Sequence, residues 1–493
     1  MRSAAALAVL VTGGLGVATG RAAEAQSVTV DLKAPVGERF MGLGVQWDPY
    51  DYPPSPEAWK TTLDRVGFLR PGLLRVMLNA TSYLRGFDAG GKPRYVWSAG
   101  ESGMERLASL FAILDYAQAH RIDVLLGEWS PARGLNVGGT RVGADDPHWA
   151  TVHADFAGYL KTVKKYDVVR YFNFMNEPNG GWMWPGGKVD YAAWAQGIRN
   201  LRQELDARGM DWLRIAGPDN SGNWEWLDRC AAELRHEIGA WEMHWYAKDA
   251  EVLDGGIEKL LAAKREMLRK ADPMAGSKPL FIGESGMIEG KVNGDQQPRV
   301  KEFQYGVRMA DYVAQVARAG WGAAIAWDLD DAMHVNTGGR TVPPGPRTLK
   351  IWGFWNTQGA AMGAAEDERV RPWFYTWSLM SRLFPKGSRI VASRSAAEAP
   401  RLRTLAAVWR DGAVRRVSVM VVNDGGAPGT VMVRVPGGGR SAVDEYHYFA
   451  QDRPVDENGY PAPARQVAAR DLTKGIRIEL PAEGVVFLSA ARR

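Results

Sequence analysis

Short apolar runs alternate with longer amphipathic stretches between residues 36 and 386. Runs rich in β-branched and aromatic residues predict strands, whereas apolar positions that recur every three or four residues predict helices. Eight such strand and helix pairs can be counted. The predicted strands are Phe40–Trp47, Leu73–Asn79, Ile122–Trp129, Val168–Glu177, Leu213–Pro218, Ala240–Tyr246, Pro279–Glu284 and Gly322–Trp327.

Amphipathic stretches of 12 to 20 residues lie between these runs and predict helices. Eight βα units are the number that a (β/α)8 barrel needs, so we predict an α/β protein with a TIM barrel over residues 36–386. An open, doubly wound sheet is the competing fold, but no Gly-rich dinucleotide turn follows the first strand. The predicted helices include Glu105–His120, Ala154–Lys165, Tyr191–Arg208, Ile257–Lys270, Glu302–Ala319 and Trp373–Phe384.

After Pro385 the pattern changes to strands and turns alone. An Asp-Gly pair separates two β-rich runs and favours a tight hairpin turn. We therefore predict a C-terminal β-sandwich domain over residues 387–493, and we expect the N-terminal strand at 26–35 to join it. The predicted strands of this domain are Leu402–Arg410, Val414–Val422, Val431–Val435, Ala442–Ala450 and Gly475–Ser489.

The first 25 residues have the pattern of a signal peptide. Arg2 precedes an apolar, Ala-rich stretch from Ala4 to Val17, and Ala23-Glu24-Ala25 offers a small-x-small cleavage site. No later segment reaches about 18 uninterrupted apolar residues. We expect a bacterial protein that is secreted or periplasmic and has no membrane partner after cleavage. The single Cys230 excludes an intrachain disulfide.

Composition narrows the class of partner. The chain is 46% hydrophobic and 24% charged, which is typical of globular proteins, and its net charge is only +5. No basic run marks a nucleic-acid partner. The chain also has 20 Trp, of which only Trp409 lies in the predicted β-sandwich. A Trp side chain suits a surface that stacks on a ligand, so the barrel is the expected binding domain.

Two glutamates lie where barrel enzymes carry their catalytic groups, at the carboxyl ends of strands. Glu177 ends the fourth predicted strand and Glu284 ends the seventh. Alternation along each strand groups Glu177 with Met175 and Asn173, and Glu284 with Ile282 and Leu280, so both carboxylates are expected to face the barrel interior.

Glycoside hydrolysis uses a pair of carboxyl groups, which two glutamates across the mouth of a barrel can supply. At a separation of about 5 Å one carboxylate attacks the anomeric carbon and the other protonates the leaving oxygen. At about 6.5 to 9.5 Å a water fits between them and the configuration inverts. The sequence leaves the separation open.

The motif Asn176-Glu177-Pro178, together with a second Glu at the end of strand 7, resembles the retaining glycoside hydrolases of clan A. The resemblance implies that Glu177 is the general acid/base and Glu284 the nucleophile, and that Asn176 binds the sugar 2-hydroxyl. It also implies that Arg75 supports the nucleophile. In the same way, His244 and Tyr246 match the clan's His-x-Tyr, with Tyr246 donating to Glu284, and Trp327 matches its sugar platform.

The family within the clan is left open. Asn-Glu-Pro-Asn resembles family 39, while the His-x-Tyr and the strand 2 Arg resemble family 5. The β-sandwich with its N-terminal strand resembles families 30 and 39. Glu128 stands in Gly127-Glu128-Trp129-Ser130, where family 5 usually carries a His.

Physical chemistry predicts opposite ionisation for the two glutamates. A neighbouring carboxylate and apolar walls are expected to raise the pKa of Glu177, so that it keeps the proton of a general acid. Arg75 and the Tyr246 hydroxyl are expected to favour the charged form of Glu284.

Further residues at the predicted rim are candidates for sugar binding. Sugar rings have apolar faces on which Trp stacks. For the third rim carboxylate, Glu128, substrate hydrogen bonding, a structural role and a catalytic role remain open. The Trp candidates are Trp47, Trp129, Trp182, Trp184 and Trp327, and five further rim Trp residues include Trp352.

Other classes of protein fit less well. The seven His residues include no His-x-His on strand 1 and no His-Glu-x-x-His helix, so we expect neither a metal site nor a cofactor. No Gly-x-Ser-x-Gly elbow indicates a serine nucleophile. The prediction is therefore a secreted retaining β-glycoside hydrolase with a polysaccharide or oligosaccharide substrate. The alternative is a non-catalytic, carbohydrate-binding barrel protein.

Overall fold

A computed structural model describes residues 26–37, 40–98, 105–131, 134–292, 294–335, 349–395 and 401–492. The predicted signal segment, residues 1–25, lies outside these residues. Eight parallel strands close into a barrel, which confirms the predicted fold class. In chain order the barrel strands are Gly44–Gln46, Leu73–Leu78, Asp123–Glu128, Val169–Asn173, Arg214–Ser221, Ile238–Ala247, Leu280–Met287 and Ala323–Ala326.

Helices follow each barrel strand and form an outer ring. Their starts carry ordinary capping signals. Asp146 accepts the backbone N–H of His148, Asp190 accepts that of Ala193, and Pro147 takes the first helical position, where it loses no hydrogen bond. The helices are Pro56–Leu69, Glu105–His120, Pro147–Thr162, Tyr191–Ala207, Trp224–Glu233, Asp249–Leu253, Gly256–Ala271, Phe303–Arg318 and Pro372–Leu383. None of them is long and apolar enough to cross a bilayer.

The loops of the barrel contain short elements as well. Two small hairpins follow strands 2 and 3, and eight short 3₁₀ helices lie in the described loops and termini. The hairpin strands are Leu84–Phe87, Pro93–Tyr95, Asn136–Val137 and Thr140–Arg141.

The barrel interior and its outer layer have different compositions. A cluster of small and large apolar side chains fills the lower part of the interior. A much larger apolar layer lies between the strands and the helices. Polar side chains can therefore occupy the barrel interior only above the apolar plug, towards the carboxyl ends of the strands. The plug consists of Met41, Leu73, Leu125, Tyr171, Ala216, Ala240, Phe281, Ala323 and Ile325.

The C-terminal domain is a mostly antiparallel sheet of nine strands. The N-terminal strand pairs antiparallel with Arg389–Ser395 and parallel with Gly429–Arg434. The order across the sheet is Arg465–Asp471, Arg440–Phe449, Glu483–Arg492, Val414–Asp424, Leu402–Asp411, Arg389–Ser395, Gln26–Pro35, Gly429–Arg434 and Ile476–Leu480.

The sequence pattern missed some of these strands. Arg389–Ser395 and Arg465–Asp471 were not predicted, and the predicted strand Gly475–Ser489 is two strands. Pro481 lies between the two, and a proline cannot donate a ladder hydrogen bond.

The sheet buries apolar side chains on both faces. Val486 and Leu488 belong to the internal core of the β-sandwich. Val485 and Phe487, which alternate with them, belong to the core of the barrel's outer layer. The helix Phe303–Arg318 packs against this second face. Barrel and β-sandwich therefore share one hydrophobic core.

Polar contacts reinforce this boundary. The Tyr448 hydroxyl donates to the backbone carbonyl of Phe303 at 2.9 Å. The guanidinium of Arg318 donates to the carbonyls of Ser393 and Thr404 at 2.9 and 3.1 Å. These contacts satisfy carbonyl groups that would otherwise be buried without a partner.

Candidate active site

Glu284 reaches the barrel interior because strand 7 is irregular. Phe281 belongs to the interior plug, whereas Ile282 packs in the outer layer. Regular alternation would turn Glu284 outward with Ile282. The pairing with strand 6 instead shifts from Met243↔Ile282 to His244↔Glu284, which skips Gly283. The predicted interior position of Glu284 is correct, but the alternation argument for it is wrong.

Gly283 makes this irregularity possible. A Cβ atom at this position would lie 1.7 Å from Oε1 of Glu242, a distance that no real contact allows. A side chain here would displace Glu242 or push strand 7 outward. The glycine therefore lets strand 7 approach its neighbour and turn Glu284 inward.

Glu177 follows a strand that ends earlier than predicted. The strand stops at Asn173, whose side-chain oxygen accepts the N–H of Met175 at 2.8 Å. Glu177 itself has φ of 39°, in the left-handed region that is uncommon for residues other than glycine. Its N–H donates to the backbone carbonyl of Asp219 at 3.0 Å. The end of strand 5 thus holds Glu177 in its turn.

Arg75 connects the catalytic candidates from the centre of the barrel. Its guanidinium is fully buried and donates to Oε1 of Glu284 at 2.5 Å and to Oδ1 of Asn176 at 2.7 Å. It also pairs with Asp219 at 3.0 Å and contacts Gln46. The side-chain oxygen of Asn176 therefore accepts a hydrogen bond from Arg75, and its side-chain NH₂ is the group available to a ligand.

The two residues of the His-x-Tyr motif both contact the glutamates. The Tyr246 hydroxyl donates to Oε2 of Glu284 at 2.5 Å. His244 Nδ1 lies 3.0 Å from Oε1 of Glu177 and 3.4 Å from Oε2 of Glu284. One carboxylate oxygen of Glu177 and one of Glu284 lie within 4.8 Å of each other. The structure thus brings Arg75, Glu177, His244, Tyr246 and Glu284 into one network.

Two buried acids in this network were missed by sequence reasoning. Asp219 contacts His244 Nε2 at 3.2 Å as well as Arg75, and Glu242 lies 3.5 Å from the same Nε2. Glu242 shares its strand with His244, two residues away, so alternation alone places both in the interior. An acid inside an otherwise apolar strand was the signal that could have found it.

The ionisation of the glutamates differs from the expectation. His244 has a pKa well above the usual value, because the nearby Glu284 and Asp219 outweigh the effect of burial. Burial favours the neutral form of Glu177, but the hydrogen bond and charge of His244 outweigh it and lower its pKa. The expected rise in the pKa of Glu177 is therefore wrong.

Glu284 shows the opposite shift. Burial raises its pKa, and the nearby His244 and Arg75 only partly offset this effect. Glu177 is thus the stronger acid of the pair. Burial and the charge of Asp219 also raise the pKa of Glu242, which favours a neutral Glu242.

A cavity of about 460 Å³ opens over the two glutamates. Trp327, Trp129 and Trp352 line it, and so does Trp182, whose side chain is 64% exposed. These are the Trp candidates that the structure places at the site. The other lining residues are Asn176, Glu177, Met183, Ser221, Tyr246, Glu284, Ile288, Lys291, Asp295 and Lys350.

Trp47, Trp184 and Glu128 are predicted substrate-binding residues that do not line this cavity. Arg75 and His244 do not line it either, but both contact the glutamates. Trp47 is fully buried and packs against Trp59 and Tyr116, with ring centroids 5.5 and 5.7 Å away. Trp184 is buried in its loop, where its indole N–H donates to the carbonyl of Pro178. For these two residues the predicted sugar contact is wrong. A Trp ring near the rim can pack in the apolar core as well as stack on a sugar, and these two rings pack in the core.

Glu128 is also turned away from the cavity. It shares the outward side of its strand with Val124 and Leu126, and its side chain is buried. Burial raises the pKa of this carboxyl well above the usual value. Its backbone carbonyl, not its side chain, contacts the site, because it accepts the N–H of Asn176 at 3.0 Å. The predicted hydrogen bond from its carboxylate to substrate is wrong, and the structural role is the one observed.

Two sets of side chains offer the atoms that a metal ion would need. They are Glu177, His244 and Glu284, and Asp219, Glu242 and His244. Arg75 already contacts one acid of each set, Glu284 and Asp219. Its guanidinium supplies the positive charge that buried carboxylates require. Contacts with Arg75 therefore account for the burial of acids in both clusters.

Comparison with known proteins gives a structural likeness but no likeness in sequence. No protein-family model matches the chain, and no curated protein matches it. A family 30 endoxylanase from Clostridium papyrosolvens superposes with a TM-score of 0.62 at 15% identity, over 94% of this chain and 100% of the other.

Two further solved structures share the same architecture. A monomeric β-xylosidase from Caulobacter crescentus has a TM-score of 0.62 at 16% identity, over 95% of this chain and 99% of the other. An α-L-arabinofuranosidase from Thermotoga maritima has a TM-score of 0.61 at 13% identity, over 95% and 100%. These likenesses show that the whole fold, barrel and β-sandwich, is one found in glycoside hydrolases.

Proposed function

We propose that this protein is a retaining β-glycoside hydrolase that acts by double displacement. The observation that carries the proposal is the close approach of Glu177 and Glu284, since one carboxylate oxygen of each lies within 4.8 Å of the other. Such an approach favours the carboxyl separation of about 5 Å in a retaining enzyme over the about 6.5 to 9.5 Å that admits a water in an inverting one. The glycosidases among the structures of the same fold support the reaction class.

In the first step, Glu284 attacks the anomeric carbon and the bond to the leaving oxygen breaks. Glu177 gives its proton to that oxygen, so the products are a glycosyl ester on Glu284 and a free alcohol. In the second step, Glu177 takes a proton from water as the water attacks the ester. Glu284 leaves as a carboxylate, and the sugar keeps its original anomeric configuration.

The first step needs a proton on Glu177 and none on Glu284. The pKa shifts favour the reverse, because His244 lowers the pKa of Glu177 while burial raises that of Glu284. Transfer of one proton from Glu284 to Glu177 converts one form into the other. His244 Nδ1 contacts both carboxylates and is placed to exchange that proton.

The neighbouring residues have defined roles in this proposal. Arg75 and Tyr246 each donate to one oxygen of Glu284, which stabilises the carboxylate that leaves in the second step. The Asn176 side-chain NH₂ binds the sugar hydroxyl next to the reacting carbon. Trp327 and Trp129 line the cavity and are the proposed aromatic contacts of the sugar. The N-terminal pattern supports export to the periplasm or medium as a further part of the proposal.

Product stereochemistry tests this function. The purified full chain is incubated with aryl β-glycosides and a panel of polysaccharides, and the first-formed sugar is followed by proton NMR. Initial release of the β-anomer is the expected result. Release of the α-anomer would show that the carboxylates activate water directly. Retention of glycans without release of sugar would support a carbohydrate-binding protein instead.

A further inference from the structure

Two lysines line the cavity above the glutamates and share one acid. Lys291 Nζ lies 2.9 Å from Oδ1 of Asp295, and Lys350 Nζ lies 3.2 Å from its Oδ2. One carboxylate balances only one ammonium group. The three side chains therefore carry one excess positive charge, and all three face the cavity.

The segment Leu349–Trp352, which carries Lys350, is hydrogen-bonded to the segment Asp295–Gln297. The N–H of Gln297 donates to the carbonyl of Ile351 at 2.7 Å, and the Gln296 side chain donates to that of Leu349 at 3.1 Å. The Trp352 indole N–H donates to the carbonyl of Asp295 at 3.0 Å. These bonds hold both ends of the ion pair on a paired backbone.

Lys350 also lies beside the proposed sugar platform. Its Nζ is 4.9 Å from the ring centroid of Trp327 and 5.7 Å from that of Trp129. The side chain is 19% exposed, so much of its hydration is lost. Double displacement needs no ammonium group at this position. Both ring contacts are of the cation–π type, and a ligand carboxylate would add a hydrogen-bonded counter-charge to them.

We propose that the cavity binds a sugar that carries a carboxylate, a uronic acid, with Lys350 and Lys291 as the residues that select it. This inference rests on the proposed function and names its substrate class. A sugar carboxylate beside Trp327 forms a charge-assisted hydrogen bond with Lys350, and the neutral hydroxymethyl group of an ordinary hexose forms a weaker one.

Binding of a matched pair of ligands tests the inference without catalysis. Methyl β-D-glucuronide and methyl β-D-glucoside differ only at carbon 6. Their Kd values are measured on the full chain by calorimetry and by quenching of Trp fluorescence. The glucuronide is expected to bind at least about tenfold more tightly, since hydrogen bonds to charged groups contribute more than neutral ones. Equal affinities would overturn the proposal, and so would tighter binding of the glucoside 6-sulfate.

Variants assign the effect to the lysines. Lys350→Met is expected to remove most of the preference for the glucuronide, and Lys291→Met a smaller part of it. Lys60→Met removes an exposed lysine that pairs with Asp64 outside the cavity, and it should keep the full preference. A preference that is unchanged in Lys350→Met would contradict the proposal. Lys350→Arg keeps the charge and should retain at least part of the preference for the glucuronide.

The outcomes separate this inference from the proposed function. Hydrolysis of neutral aryl glycosides without a preference for the uronide would leave the function standing and overturn the inference. Selective, Lys350-dependent binding of the uronide without hydrolysis of any glycoside would support the inference and overturn the function.

Discussion

His244 Nδ1 lies 3.0 Å from Oε1 of Glu177, and this contact sets the ionisation of the proposed acid/base. His244 has a raised pKa and is therefore charged near neutral pH. Its charge lowers the pKa of Glu177 and partly offsets the rise that burial causes in the pKa of Glu284. The ionisation of His244 therefore affects both glutamates.

Replacing His244 by Gln should move the pH profile of kcat/KM to higher pH. Without the imidazolium, the pKa values of both glutamates rise, so the acid and alkaline limbs both shift upward. Initial rates on an aryl glycoside between pH 3 and 9 measure the limbs. A downward shift, or limbs that stay in place, would contradict the proposed electrostatic role of His244.

Replacing Glu284 by Gln should lower turnover by about three orders of magnitude or more, because the amide cannot form the glycosyl ester. The side chain keeps its size, so the far-UV circular dichroism should not change. Glu366→Gln, an exposed substitution remote from the cavity, is the matched control and should keep wild-type rates. Wild-type turnover in Glu284→Gln would rule out the nucleophile assignment.

Replacing Glu177 by Ala should affect substrates unequally. Substrates with good leaving groups need no acid in the first step, so their glycosyl ester should still form. Azide should then accelerate turnover and yield a β-glycosyl azide, which NMR can identify. If azide has no effect on the rate, or if the azide product is the α-anomer, Glu177 is not the acid/base of a retaining mechanism.

Replacing Gly283 by Ala should reduce both stability and activity. The new Cβ would overlap Glu242 at 1.7 Å, and such overpacking typically costs about 1 to 3 kcal/mol. Glu284 would move with its strand, so kcat should fall even at temperatures where the melting curve shows that the variant is folded. The control is Gly276→Ala, where a Cβ meets nothing within 4 Å and which should behave as wild type. Unchanged kcat and stability in Gly283→Ala would show that the close strand approach is not needed.

His153 should make the protein less stable as the pH falls. Its ring is buried among Trp149, Phe172 and Phe174, and neither nitrogen has a hydrogen-bond partner among the described residues. Burial lowers its pKa to about 3. The unfolded chain binds a proton below about pH 6.5 and the folded chain does not, so stability falls by about 1.4 kcal/mol per pH unit between these values.

The variant His153→Phe isolates this contribution. Its free energy of unfolding, measured with urea, should depend less steeply on pH between 6 and 4 than that of the wild type. The two slopes should differ by up to about 1.4 kcal/mol per pH unit. The absolute stability can change in either direction without affecting the comparison. Identical slopes for the two proteins would show that His153 is protonated in the folded state.

The sequence was sufficient to predict the barrel, because the hydrophobic periodicity of its strands differs from that of its helices. It also located Glu177 and Glu284, because strand ends in a barrel converge, and the resemblance to clan A pointed to Arg75, His244 and Tyr246. It did not reveal why Glu284 faces inward. That depends on a skipped residue, Gly283, and on contact with a neighbouring strand, neither of which appears in the pattern of one strand.

The misplaced residues have a common physical origin. Trp47, Trp184 and Glu128 lie at or near strand ends, as the other candidates do, but their side chains are buried away from the cavity. Position along a strand fixes the height in the barrel, whereas the direction of the side chain depends on register and loop packing. Lys350 escaped notice for the same reason, since its contact with Trp327 depends on how two loops pair.

The shared core has a consequence for any attempt to recombine this protein. A cut at residue 386 would separate Val485 and Phe487 from the helix layer that buries them and would expose an apolar face on each fragment. The β-sandwich therefore cannot be exchanged like an appended carbohydrate-binding module on a linker. Barrel and sheet therefore depend on each other for the burial of their apolar side chains.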